Sequence, residues 1–184
     1  EMFPRTAQQV LNDFVDGSLD ETQFLKDSQY FKVWSYDYRL YREILNFARQ
    51  NHIPVIGLNI KKSMVSKVYK EGGISSLSPE EKMTIPFDRN LDMPNYYERI
   101  DRVFRMHPHG GGQSRFAGFL QAQAIWDETM AEAIAGYMEK NPADRMVVIA
   151  GRGHVLKENA IPPRVARRLA MPQAIVINGD GGPT

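Results

Sequence analysis

Apolar runs alternate with amphipathic stretches along most of this chain. The clearest run, residues 146–150, is unbroken and is followed by Gly151-Arg152-Gly153-His154. A continuous apolar run of this length is typical of a strand that is buried on both faces of a parallel sheet. Two further apolar runs, 55–60 and 174–177, are followed by polar or turn-forming residues and also predict strands.

Helices are predicted between these strands, because apolar residues there recur every three or four positions. The longest predicted helix runs from 114 to about 138, and another has its core face at about 36–48. This alternation predicts an α/β fold in which helices flank a mainly parallel sheet. Since three clear strands are few for a sheet, we expect a first strand upstream of Glu1. We therefore predict a single domain, residues 1–184, that is incomplete at its amino end.

Composition narrows the class of protein. A length of 184 residues is enough for one domain with a sizeable core. The net charge of +1 argues against a nucleic-acid partner, and the absence of cysteine excludes disulfides and thiolate metal sites. No apolar run approaches the roughly 20 residues that cross a bilayer. Membrane association is therefore expected only through an anchor outside this chain.

The carboxyl ends of the predicted strands suggest a binding site. Open α/β sheets bind their ligands at this edge, so His154, Arg152 and Asn59 are predicted to meet there. An imidazole beside a cationic side chain suits a metal ion, a haem or a polarised carbonyl. The alternative is a strand-to-helix turn whose histidine is held by hydrogen bonds.

A second candidate site is the segment His107-Pro108-His109-Gly110-Gly111-Gly112. Alternate residues of an extended segment point to the same side, so His107 and His109 can approach one ion or one ring system. The alternative interpretation is a polar surface loop. The H-E-x-x-H signature of zinc proteases and the G-x-S-x-G elbow of serine hydrolases are both absent.

Four stretches of the chain together resemble the ChaN-like haem-binding family of the Tiki superfamily. They are EMFPRTAQQVLNDFVDGSLDETQFL, YDYRLYREILNFARQNHIPVIGLNI, QAQAIWDETMAEAI and VVIAGRGHV. The resemblance implies an α/β fold and a bacterial protein of the cell envelope, membrane-anchored as a lipoprotein or periplasmic. It also implies a role in iron and haem uptake, and haem binding that can involve a homodimer.

The resemblance also implies which residues form the site. Glu1, Asn59 and His154 match polar positions of the family at the sheet edge, and the family's Gly-Glu-x-His segment falls upstream of Glu1. Relatives often carry a tyrosine before the QAQ-type helix, where this chain has residues 116–119, FAGF. Axial ligation of haem iron would then fall to His107, His109 or a more distant tyrosine.

Two functional hypotheses follow from the resemblance. The first is a non-catalytic haem-binding protein in which histidine or tyrosine ligates the iron and Arg or Lys pairs with the propionates. The second is a metal-dependent hydrolase of the Tiki superfamily type, in which Glu1 and His154 help to hold a divalent ion that activates water.

Overall fold

The computed structural model describes residues 1–106 and 113–178, and the regular structure in these ranges is helical. Short 3-10 turns lie at Arg5–Ala7, Tyr38–Leu40, Ile74–Ser76 and Arg152–His154. The helices are α1 (Gln8–Val15), α2 (Glu21–Asp27), α3 (Tyr30–Val33), α4 (Arg42–Gln50), α5 (Lys62–Lys70), α6 (Pro79–Lys82), α7 (Tyr96–Met106), α8 (Gln113–Lys140) and α9 (Ile161–Arg168).

The prediction of a mainly parallel sheet is wrong for the described residues. The segments 55–60, 146–150 and 174–177 contain no strand, and β-type pairing is limited to one parallel bridge between Pro4 and Asn59. A strand needs a neighbour that satisfies its backbone N–H and C=O groups, and within the described chain these segments do not pair with one another.

The prediction that the run 146–150 is buried on both faces is also wrong, and the predicted strand 174–177 is exposed at Val176. Val147 is 88% exposed and Val176 is 89% exposed. An apolar run favours burial, but its side chains are buried only where another element packs against them. The described chain is therefore a helical assembly in which these apolar segments do not form a sheet.

Helix α8 is the central element of the fold. It contacts α5, α7 and α9, and buried residues on more than one of its faces include Ala122, Ile125 and Met130. Gly118 allows α5 to approach closely, because a Cβ at this position would lie 2.6 Å from the Tyr69 carbonyl oxygen. A helix that is apolar on several sides is one that other elements surround.

The helices α1 to α4 pack around an aromatic cluster near the amino end. Phe14 and Phe24 stack with ring centroids 4.1 Å apart, and Tyr30 lies edge-on to Tyr38 at 5.2 Å. The predicted core face at about 36–48 is confirmed at Tyr38, Leu45 and Ala48, which are all buried. It is wrong at Ile44, which is 49% exposed.

A buried ion network fastens α9 to α8. The side chains of Glu128 and Arg164 are both fully buried and form an ion pair. Arg167 and Arg168 lie 3.0 and 2.7 Å from the second oxygen of Glu128. A single carboxylate thus compensates several cations of α9, which fixes the helix in one orientation.

Candidate functional site

Two carboxylates flank the imidazole of His154. Its Nδ1 lies 2.5 Å from Asp127 Oδ1, and its Nε2 lies 3.6 Å from Glu1 Oε1. The three side chains are largely removed from solvent, with 15% of His154, 9% of Glu1 and 2% of Asp127 exposed. This cluster, called the His154 cluster below, combines residues that are far apart in the sequence.

The backbone around Gly151 sets the position of Glu1. The Gly151 N–H donates to Glu1 Oε2 at 2.6 Å, and the amino group of Glu1 donates to the Ile149 carbonyl at 2.9 Å. The Asn59 side chain donates to the Glu1 carbonyl at 2.9 Å and accepts from the Ile60 N–H at 2.8 Å. Asn59 is thus engaged with backbone groups and positions Glu1.

Helices α7 and α8 supply the other members of the cluster. Asp127 and Trp126 are consecutive residues of α8, and the Trp126 ring lies edge-on to His154 with centroids 5.8 Å apart. Arg99, on α7, donates to the Gly153 carbonyl at 3.0 Å and lies 3.7 Å from Asp127 Oδ2. The 3-10 turn that contains His154 is therefore held from both helices.

The surroundings of His154 favour its charged form. Burial opposes the imidazolium, but the hydrogen bond with Asp127 and the negative charges of Asp127 and Glu1 outweigh it, so the pKa of His154 is raised above 6.5. The nearby Arg99 opposes this effect. The cluster can thus hold a proton on His154, or another small cation between His154 Nε2 and Glu1 Oε1.

The structure brings only some of the predicted site residues together. Glu1, Asn59 and His154 lie together, whereas Arg152 is exposed on the same 3-10 turn. His107 and His109 lie outside the described residues.

Asp127, Arg99 and Trp126 were not singled out in the sequence. Asp127 and Glu128 lie within a buried stretch of α8. Because acidic side chains are seldom buried without a partner, this pair could have indicated a buried ionic site from the sequence. Arg99 gave no comparable signal, because its partners are distant in the chain and its helix carries other charges on exposed positions.

A cavity of about 140 Å³ adjoins the cluster and is lined by Glu1, Asn59, Trp34, Lys62 and Trp126 among others. Pockets for ligands of drug size span roughly 300–1,000 Å³. The cavity is therefore too small for a porphyrin, and both nitrogens of His154 already face carboxylates. Haem ligation by His154 would therefore require one of its contacts with Asp127 and Glu1 to break.

The end of α7 offers a different surface. Met106, the last residue of α7, is 73% exposed, and Arg102 is exposed one turn earlier on the same side of the helix. Beneath them, the rings of Phe104 and Phe116 lie 5.4 Å apart and join α7 to α8. An apolar side chain and a cation thus stand directly before His107.

Fold and site define a helical domain that holds a buried carboxylate–histidine cluster. Residues 1–165 match the family described as haem-binding uptake, Tiki superfamily, ChaN. The chain belongs to this family, so the resemblance stated from its sequence is confirmed. No curated protein and no solved structure matches the chain significantly.

Among the described residues, no helix is both long enough and apolar enough to cross a membrane.

Proposed function

We propose that this chain binds haem without catalysing a reaction, and that His107 or His109 ligates the iron. The observation that supports this most strongly is the family match, which covers residues 1–165 and names haem binding and uptake. Haem iron commonly takes an imidazole as its axial ligand, and the chain has four histidines to offer.

The His154 cluster supports this choice by exclusion. A porphyrin needs an apolar face on each side and open space around the ligating nitrogen. His154 has neither, because its side chain is 15% exposed and its two nitrogens face Asp127 and Glu1. His52 is exposed and remains a useful control.

The end of α7 fits the needs of haem better. The exposed Met106 offers apolar contact to the macrocycle, and Arg102 offers a charged partner to a propionate. When bound, haem would supply an iron that the imidazole of His107 or His109 would hold. Met106 and Arg102 would then position the ring beside α7.

A hemin titration tests this function. We expect a Soret shift that saturates at a defined stoichiometry of hemin to chain. Arg102→Gln should weaken binding several-fold, whereas Arg152→Gln, at another exposed arginine that lies beside the His154 cluster, should leave it unchanged. The absence of a saturable shift would contradict haem binding. If Arg152→Gln weakened hemin binding and Arg102→Gln did not, the haem would instead be assigned to the His154 cluster.

Cellular location and assembly form part of the same proposal. A member of a haem-uptake family would act in the bacterial cell envelope, and haem held between two copies would explain a homodimer. Sedimentation with and without hemin tests the assembly. Hemin-dependent dimers are expected, and a monomer at saturating hemin would contradict them.

One observation favours a second function, a metal-dependent hydrolase. Asp127 holds Nδ1 of His154 and so turns Nε2 toward Glu1 Oε1, an arrangement by which carboxylates orient metal-binding histidines. The separation of 3.6 Å between these two atoms can be spanned by two bonds of about 2.1 Å to one divalent ion. The described residues contain no group of three such ligands, so further ligands would have to come from elsewhere.

Calorimetric titration with Zn²⁺ or Mn²⁺ distinguishes this alternative, together with turnover on ester and peptide substrates. The hydrolase requires metal binding that Glu1→Gln removes, while Glu98→Gln, at an exposed position of α7, has no effect. Hemin binding without metal-dependent turnover would eliminate it.

A further inference from the structure

Segment 82–89, which follows α6, presents two large apolar side chains to solvent. Met83 is 86% exposed and Phe87 is 97% exposed, whereas Ile85 and Pro86 between them are buried. The segment is therefore attached to the body of the protein at its centre and carries one exposed apolar side chain on either side of that attachment. Single exposed apolar residues are common on soluble proteins, but neighbouring ones mark an interaction site when they form a patch.

Cations from distant parts of the chain hold the backbone of this segment. Arg5 Nη2 donates to the Thr84 carbonyl at 2.8 Å, and Arg168 Nη2 donates to the Asp88 carbonyl at 2.6 Å. Arg167 Nε donates to the Asp88 carboxylate at 2.9 Å. The exposed apolar side chains are therefore carried on a backbone that is tied to the body of the protein near both of its ends.

Positive charge predominates around the segment. The cations that belong to it, or that contact it and the adjoining Glu81, are Arg5, Lys67, Lys82, Arg89, Arg167 and Arg168. The carboxylates are Glu80, Glu81 and Asp88, and Glu128 and Glu132 pair with some of the same cations. The exposed carboxylate of Asp88 lies 2.9 Å from Arg167 and 3.8 Å from Arg168, so its charge is compensated. Lys82 and Arg89 therefore add positive charge at the two ends of the segment.

This combination fits a lipid surface better than a second protein. A Phe side chain buries about 150–250 Å² when it is covered, so Phe87 and Met83 together supply roughly half of the ~800 Å² that each partner of a stable protein interface buries. A bilayer needs no partner surface of matching shape. Its acyl boundary accepts apolar side chains, and its anionic headgroups attract the cations beside them.

We propose that segment 82–89 docks the chain on an anionic lipid surface. Met83 and Phe87 enter the boundary between headgroups and acyl chains, and Lys82 and Arg89 lie at the headgroups. The chain then reaches a membrane through its own surface, and not only through an anchor outside it. This inference does not depend on haem binding.

Flotation with vesicles tests the contact. We expect the chain to float with vesicles of phosphatidylcholine and phosphatidylglycerol in a ratio of ~3:1, and much less with phosphatidylcholine alone. Met83→Ser/Phe87→Ser should weaken binding about tenfold or more, because two inserted side chains are lost. The matched control is Phe31→Ser/Leu40→Ser, which removes apolar side chains that are 69% and 67% exposed elsewhere and should bind as the parent does.

A labelled thiol shows which part of the surface enters the lipid. Because the chain has no cysteine, Phe87→Cys and Phe31→Cys each introduce a single site for an environment-sensitive dye. Vesicles that contain phosphatidylglycerol should shift the emission of the dye at position 87 to the blue and leave the dye at position 31 unchanged. The shift at position 87 should decrease at high salt, which screens the attraction between cations and headgroups.

Three results would overturn the proposal. The absence of flotation with both kinds of vesicle would exclude a lipid surface. Equal flotation of the parent and Met83→Ser/Phe87→Ser would place the lipid contact elsewhere on the chain. A blue shift at position 87 that appears without vesicles and rises with protein concentration would assign the segment to a second copy of the chain.

Discussion

At the scale of single residues, Asp127 decides the state of His154. Its carboxylate accepts the short hydrogen bond from Nδ1, and Arg99 lies 3.7 Å from its other oxygen. Both positive partners are thereby compensated by one side chain that is 2% exposed. If the charge of Asp127 is removed, the cations of His154 and Arg99 remain close together with no carboxylate between them.

Asp127→Asn is expected to lower the free energy of unfolding by about 1.5–3 kcal/mol, the range for hydrogen bonds to charged groups. Because Asn has the shape of Asp and retains an acceptor oxygen, the decrease in the free energy of unfolding reflects the lost charge and not a change in packing. Denaturant unfolding measures it. Asp92→Asn, at an exposed position, serves as control and should change stability by less than about 0.5 kcal/mol. Equal losses in the two variants would contradict the role of Asp127.

Tyr30 makes stability depend on pH in the alkaline range. Burial raises its pKa to about 12, with smaller contributions from Tyr41 and Asp37. The unfolded chain releases this proton near pH 10, whereas the folded chain holds it to about 12. The stabilisation of the neutral form is therefore complete below pH 10 and is lost as the pH rises toward 12.

Tyr30→Phe should reduce this alkaline loss of stability, at a cost of about 1 kcal/mol at pH 7 from the hydrogen bond to the Tyr36 carbonyl. Free energies of unfolding at pH 8, 10 and 11 measure the slope. An unchanged slope would show that Tyr30 titrates alike in the folded and unfolded chains.

The sequence predicted part of this site. The grouping of Glu1, Asn59 and His154 followed from predicted strand ends and from the family resemblance. Asp127 and Arg99 were missed because their contacts to the His154 turn span 27 and 54 residues. Such contacts depend on how helices pack, and local patterns do not specify that packing.

At the scale of elements, the positions of helices could be predicted from the sequence better than the pairing of strands. The long helix expected at 114 to about 138 is present as α8. The apolar run 146–150 was interpreted as a strand, yet its periodicity cannot reveal whether a neighbouring strand exists. Within the described chain no strand lies beside it, so residues 146–148 make no backbone hydrogen bonds and Val147 is 88% exposed.

The close packing of α5 on α8 gives a test within one helix. Gly118→Ala would bring a Cβ within 2.6 Å of the Tyr69 carbonyl oxygen, so the helices must separate, at a cost of about 1–3 kcal/mol. Gly136→Ala meets no atom within 4 Å and should stabilise the chain by about 0.5–1 kcal/mol. Thermal unfolding of both variants measures these changes. Changes of the same sign would contradict the packing described for α5 and α8.

At the scale of the whole molecule, α7 connects the two candidate sites. Arg99 near its start contacts the Gly153 carbonyl beside His154, and Met106 at its end directly precedes His107. The family match covers both regions, so it does not decide between them. We propose the end of α7 because Met106 and Arg102 are exposed there beside His107, whereas both imidazole nitrogens of His154 face carboxylates.

The position of the iron ligand is the central claim, and hemin spectra of histidine variants test it most directly. The double variant His107→Ala/His109→Ala is expected to lose the ligand-dependent Soret shift and to weaken hemin binding by tenfold or more, about 1.4 kcal/mol. His52→Ala, at an exposed histidine far from this segment in sequence, should bind hemin as the parent does. A parent-like spectrum in the double variant, or loss of the shift in His52→Ala, would contradict the assignment.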